Sequence, residues 1–235
     1  MADKVRAYEG KDITVTYSVR RCIHAAECVH GLGAVFDPER RPWIDPDQAS
    51  ADQLAEVILR CPSGALAFQR KDGGAEEPVP SANTITVSPD GPLYVHGNVE
   101  VTLSDGSVHE DTRVALCRCG ASKNKPFCDN SHLKDEFKDA AVFQKVVVKP
   151  EYNGGSSALK VQPARNGPLL VQGPLELVGA EASVRGIQAA LCRCGGSGNK
   201  PFCDGTHSKI GFASECCRLR NADCRMRIDL FPIPA

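Results

Sequence analysis

Three cysteines and one histidine recur at fixed spacing in two places. The first set is Cys117-Arg118-Cys119, eight intervening residues, then Cys128-Asp129-Asn130-Ser131-His132. The second is Cys192-Arg193-Cys194, eight residues, then Cys203-Asp204-Gly205-Thr206-His207, 75 positions further on. Soft thiolates with one imidazole suit zinc or an iron–sulfur cluster and disfavour calcium or magnesium, which take oxygen ligands. Any fold open to this chain has to gather each set.

The repeat is larger than its ligands. From Ala115 to Phe137 against Ala190 to Phe212, 16 of 23 positions are the same residue. Gly91-Pro92-Leu93-Tyr94-Val95-His96-Gly97 is echoed by Gly167-Pro168-Leu169-Leu170-Val171-Gln172-Gly173 at an offset of 76. A whole small domain has been duplicated, with one residue lost between strand and ligand loop. In Cys-x-Cys an extended segment puts both thiolates on one side, and Cys and His at i and i+4 share a face of a helical turn. Pro126 and Pro201 restrict the approach to that turn, and Asp129 and Asp204 sit near its first residue. Backbone N–H groups at its start would face the site and offset negative charge. Asn130 stands where the second copy has Gly205. If the backbone is left-handed there, Asn is the least costly replacement, and the first site is retained.

The pattern Cys-x-Cys-x2-Ser-x3-Pro-x-Cys-Asp-x-Ser/Thr-His, met in both copies with Ser122 and Ser197, resembles the CDGSH iron–sulfur family. The resemblance covers the chain from about Thr84 to Phe212. It implies a 2Fe–2S cluster in each copy. Cys117 and Cys119 would hold one iron and Cys128 and His132 the other; Cys192, Cys194, Cys203 and His207 would do the same in the second. It also implies that two such domains pair, here inside one chain, so that the protein is a monomer. Two ferric ions, two sulfides, three thiolates and a neutral imidazole leave one net negative charge, against two for four thiolates, which favours reduction. A histidine ligand couples that reduction to protonation near neutral pH and makes its bond to iron the weak one. Three Cys and one His are also an ordinary structural zinc set, although Cys-x-Cys is tighter than the usual zinc spacing. Interleaved histidines and the lack of a secretory segment argue against disulfides.

The first third is a different unit. Ile13 to Val19 alternates apolar and polar, a half-buried strand. Arg20 to Cys28 reads as a loop entering a short helix, and Trp43-Ile44 as a second strand. Ser50-x-x-Gln53 is a capping box opening a helix with Leu54, Val57 and Ile58 facing inward. That helix ends at Cys61-Pro62, before a strand from Ala65 to Phe68. The unit resembles divergent single-cluster bacterial ferredoxins, where a Cys-rich loop and a late Cys-Pro share one cubane-type cluster. Cys22 and Cys28 hold the outer places of the loop, Ala25 the middle one, and Cys61 the late one. The resemblance implies a 3Fe–4S cluster, or a 4Fe–4S cluster whose fourth iron takes another ligand, with His24 and Glu27 as nearby candidates. The alternative is that these cysteines are buried, apolar-like residues.

An α+β architecture follows. A ferredoxin-like domain is expected at 10–70, a linker rich in Gly, Glu and Pro at 71–83, two small β-rich CDGSH domains at 84–148 and 158–213 packed as an internal pseudo-dimer, and an irregular tail at 214–235 with Cys216, Cys217 and Cys224. With 28 basic and 29 acidic residues there is no electrostatic footprint for nucleic acid. The charged start is no signal peptide and no apolar run approaches a membrane span, so a soluble, cytoplasmic protein is expected. The 21 Gly and 16 Pro suit loop-rich domains held together partly by metal. Gly195 to Lys200 has the look of a phosphate loop, but Pro201 follows the lysine and Cys194 and Cys203 bracket it. His30, His96 and His109 have no partners at ligand spacing. There is no Ser-His-Asp set, no pair of catalytic carboxylates and no nucleotide fingerprint, so the chain is not expected to be an enzyme. It is expected to pass single electrons, or whole clusters, to a redox partner or cluster-acceptor protein. The alternatives are a structural zinc scaffold and an electron-transfer subunit of an oxidoreductase supplied by another chain.

Overall fold

A computed structural model describes residues 4–150 and 158–214. The tail cysteines Cys216, Cys217 and Cys224 lie outside the described residues. Strands predominate over a few helices, consistent with the expected α+β class. The chain forms two compact units, dividing between Val79 and Pro80.

The first unit is a three-stranded antiparallel sheet, in the order β1 (Val5–Glu9), β2 (Ile13–Ser18), β3 (Leu66–Arg70). The expected strands at 13 and 65 are there. β1, absent from the sequence reading, is an edge strand whose residues are almost all exposed and so carries little hydrophobic pattern. Helix α1 (Glu27–Gly31) follows the cysteine loop, and α2 (Ala51–Leu59) opens on the expected capping box. Ser50 Oγ accepts from the Gln53 N–H at 3.3 Å while Gln53 Oε1 accepts from the Ser50 N–H at 3.2 Å. Leu54, Val57 and Ile58 are buried against Ile13, Val15, Phe36 and Leu66. Each such side chain contributes about 1.5–3 kcal/mol by leaving water. Trp43-Ile44 forms no strand. Ile44 makes one isolated bridge to Phe36, and Pro42 and Pro46 on either side supply no N–H to extend a ladder.

The second unit interlaces the two repeats. The first contributes β4 (Thr84–Val87), β5 (Leu93–Thr102), β6 (Val108–Leu116), α3 (Ser131–Lys134) and β7 (Val148–Lys149). The second contributes β8 (Leu159–Pro163), β9 (Leu169–Val178), β10 (Ser183–Leu191) and α4 (Thr206–Lys209). β4 pairs antiparallel with the start of β5 and parallel with the end of β9, Ile85 opposite Leu177. β8 does the reciprocal, antiparallel to the start of β9 and parallel to the end of β5, Val161 opposite Val101. Four strands thus close a ring, each repeat lending one strand to the other. Hairpin partners β6 and β10 flank it. The ring buries alternate residues of both copies, including Ile85, Val99, Val101, Leu159, Val161 and Leu177.

Candidate metal centres

β6 and β10 run directly into the Cys-x-Cys segments, and the returning loop stays hydrogen-bonded to them. The Cys117 N–H donates to the Pro126 carbonyl and the Cys128 N–H to the Ala115 carbonyl, both at 2.8 Å. The Cys192 N–H meets the Pro201 carbonyl at 2.7 Å and the Cys203 N–H the Ala190 carbonyl at 2.9 Å. The two cysteine-bearing segments therefore lie side by side. Ser122 and Ser197 hold the loop between them. Each hydroxyl donates to a carbonyl, Phe127 or Phe202, at 2.7 Å and accepts from an amide, Asn124 or Asn199, at 3.0 Å.

The donors come in pairs. The Sγ atoms of Cys117 and Cys119 are 3.7 Å apart, and those of Cys192 and Cys194 are 3.8 Å apart. Cys128 Sγ lies 3.5 Å from His132 Nδ1, and Cys203 Sγ lies 3.3 Å from His207 Nδ1. A tetrahedral metal, with bonds of about 2.3 Å to sulfur and about 2.0 Å to nitrogen, spaces two sulfurs by about 3.8 Å and a sulfur and a nitrogen by about 3.5 Å. Each pair fits one metal. Among the described residues no three His, Cys, Asp or Glu side chains converge on a single ion.

Sequence reasoning placed Cys and His on one helical turn. The turn is shorter: α3 starts at Ser131 and α4 at Thr206, after the cysteine. A left-handed residue swings the chain into it, Asn130 at φ 66° or Gly205 at φ 85°. That is the conformation in which Asn costs least as a stand-in for Gly. The Asn130 and Gly205 N–H groups point at the sulfurs of Cys128 and Cys203, at 3.4 and 3.5 Å, and the Gly196 N–H at Cys194 Sγ, at 3.4 Å. Such donors stabilise charge on sulfur. Asp129 ties the loop through the amides of Lys123 (2.8 Å) and Ser131 (3.0 Å). Asp204 repeats this with Gly198 (2.8 Å) and Thr206 (3.0 Å).

Protonation follows the pairing. The hydrogen bond from Cys119 lowers Cys117 to about 7, with Cys119 pushed up in return. In the second copy the bond from Cys192 lowers Cys194 to about 6 and Cys192 rises. Each pair thus presents one thiolate near neutral pH. Burial pushes Cys128 up to about 11 and raises Cys203. Burial also lowers His132, helped by the Arg118 charge, and lowers His207, a shift towards the neutral imidazole that binds metal.

Sequence reasoning missed the residue inside each Cys-x-Cys. Arg118 and Arg193 are nearly fully buried. Arg118 Nε donates to the Gly91 carbonyl at 2.8 Å, its other nitrogens bond the Ser88 carbonyl and Asp139, and its guanidinium lies 5.0 Å from the Phe137 ring. Arg193 Nε donates to the Gly167 carbonyl at 3.0 Å and Nη2 to Ala164 at 2.5 Å and Ser214 Oγ at 2.6 Å. Each arginine pins the repeat's Gly-Pro-Leu turn to its metal loop. The one available signal was the same Arg in both copies. The two loops also touch. A Cβ on Gly120 would lie 2.5 Å from the Cys194 carbonyl oxygen, and one on Gly195 would lie 2.3 Å from that of Cys119. Both glycines have positive φ, so no larger residue fits either place without strain.

In the first unit Cys22, Cys28 and Cys61 open onto one cavity of about 810 Å³, with His24, Ala25 and Glu27 also on its wall. Two left-handed residues, His24 (φ 51°) and Ala26 (φ 63°), fold the loop back, and the His24 N–H donates to Cys22 Sγ at 3.5 Å. Burial pushes Cys28 up to about 11, with added repulsion from Cys61 and Cys22. Cys61 Sγ lies 3.7 Å from Ser63 Oγ, just past α2. None of the nine described cysteines forms a disulfide.

Comparison with known proteins meets this geometry. The family model "Divergent 4Fe-4S mono-cluster" matches residues 8–71, and "Iron-binding zinc finger CDGSH type" matches 90–133 and again 166–208. The uncharacterized protein YjdI of Escherichia coli K12 is 41% identical over 66 residues, which are 28% of this chain and 87% of that protein. The YjdI of Escherichia coli O157:H7 matches equally. No solved structure gives a significant match. The chain therefore carries a divergent 4Fe-4S mono-cluster domain, in the region that YjdI matches, followed by two iron-binding CDGSH domains.

Proposed function

We propose that the protein carries single electrons, or clusters themselves, between partner proteins, and holds three clusters per chain. The observation that carries this is the pairing of donors, Cys with Cys and Cys with His, at one-metal spacing in both copies. In this reading Cys117, Cys119, Cys128 and His132 hold one 2Fe–2S cluster, and Cys192, Cys194, Cys203 and His207 hold another. Cys22, Cys28 and Cys61 hold a 3Fe–4S or 4Fe–4S cluster in a ferredoxin-like domain. Bound clusters of this kind supply a site that gains and loses one electron. The chain's own residues do the rest. Amide N–H groups offset charge on the sulfurs, the neutral imidazoles of His132 and His207 offer a ligand that acid can displace, and the buried arginines fix the loops. The interlaced repeats act as an internal pseudo-dimer, so the working unit is a monomer without enzymatic activity of its own, placed in the cytoplasm.

A zinc scaffold is the rival reading, since three Cys and one His are also an ordinary structural zinc set. Anaerobically purified protein from its native host decides between them by visible spectrum and by iron, sulfide and zinc content. Iron and sulfide for three clusters are expected; zinc in place of iron would sink the proposal. Cys61→Ala should remove the N-terminal cluster alone and leave both 2Fe–2S signals.

A further inference from the structure

Resting on the reading that Cys22, Cys28 and Cys61 hold a cubane-type cluster, we infer that the loop place held by Ala25, which lacks a thiolate, opens instead onto a pocket for a small anion, with a thiolate or carboxylate head and an aromatic body, that would complete the set in preference to His24 or Glu27. The loop spacing is that of a Cys-x2-Cys-x2-Cys ligand run with its middle place taken by Ala25. Ala25 lies on the wall of the same cavity as the three cysteines, so a methyl group stands where the run would supply its thiolate. The cavity, about 810 Å³, falls in the range of small-molecule sites, about 300–1,000 Å³.

The rest of the wall has a chemistry of its own. Tyr17 lines the cavity together with Cys22. Its ring meets Trp43 edge-on at 4.9 Å, and Trp43 meets Tyr8 at 6.5 Å. An aromatic surface of Tyr8, Tyr17 and Trp43 thus shares the cavity wall with the three cysteines. Arg6 and Arg41 border the same cavity, against Glu27 as the single acid among its lining residues. Arg6 stands opposite Tyr17 in the β1–β2 ladder, which places it on the Tyr17 side of the sheet. Arg41 is anchored by bonds from Nη1 to the carbonyls of Pro38 (2.7 Å) and Arg40 (2.6 Å). An aromatic face with two cations selects a flat apolar body carrying a negative donor.

Benzenethiolate is a direct probe. The full-length protein is rebuilt with iron and sulfide, reduced, and titrated while its electron paramagnetic resonance spectrum is followed. The N-terminal signal should shift saturably, and both 2Fe–2S signals should stay unchanged. Ala25→Cys, which adds the missing thiolate, should abolish the shift. The exposed Arg6→Gln should weaken binding about tenfold, the loss of one charge-assisted hydrogen bond. An N-terminal signal that ignores benzenethiolate, or one that shifts equally in Ala25→Cys, overturns the inference and leaves the cluster assignment standing. Equal affinity in Arg6→Gln overturns the anion pocket. Iron content unchanged by Cys61→Ala overturns the N-terminal cluster and the inference together.

Discussion

His132 is buried, whereas His207 is half-buried, and burial lowers the pKa of both imidazoles. Their depressed pKa values give a sign to the acid response. Below the ordinary histidine range the unfolded chain takes up protons before the folded one, so stability falls as pH drops from that range towards the folded values. Loss of each cluster should begin at its histidine, and the second cluster, with the more accessible ring, should bleach first on mild acidification. Replacing His207 with Cys adds a negative charge. It should lower that cluster's potential, flatten its dependence on pH and slow its acid decay, with the first cluster unchanged, as spectroelectrochemical titration would show. The buried arginines carry a second residue-scale prediction. Arg118 pairs with Asp139, and the matching position of the second copy is Ser214, bonded to Arg193. Asp139→Ala should destabilise the protein by about 3 kcal/mol in denaturant titration, the cost of leaving a buried charge without its partner. Asp139→Ser should recover part of this, because the second copy already works that way.

At the scale of elements, the two cysteine loops lie against each other. Val at Gly120 would drive its side chain into the Cys194 backbone, 2.5 Å away already for a Cβ. Gly120→Val is expected to disturb both 2Fe–2S signals, although it changes one repeat; an effect confined to the first would show that the loops act independently. How the elements were read follows from where their information lies. The ligand sets were legible because their spacing is chemical and repeated. Helix α2 was legible from Ser50 and Gln53, since a capping box is a local contact between residues three apart. Trp43-Ile44 was misread because a lone bridge and a strand share the same apolar pair, and only the flanking prolines distinguish them. The roles of Arg118 and Arg193 could not be read, because their carbonyl partners lie 26 to 30 positions away. The crossing of β4 to β9 and β8 to β5 was equally hidden, since nothing in four or five residues says which copy's strand they join.

At the scale of the molecule, the closed ring of β4, β5, β8 and β9 makes the second unit one cooperative body. A monomer is expected in light scattering, with a melting temperature unchanged over about a hundredfold dilution, since no association step enters its stability. A stable dimer that persists on dilution would contradict this. The exchanged strands also bear on abundance. Two separate chains sharing strands in this way would hold together only above their dissociation constant, and a scarce protein would lose its partner and bare its strand edges. Joined in one chain, each half meets the other at an effective concentration in the millimolar range, whatever the level of expression. Duplication has thus made possession of both centres independent of how many copies of the protein a cell makes.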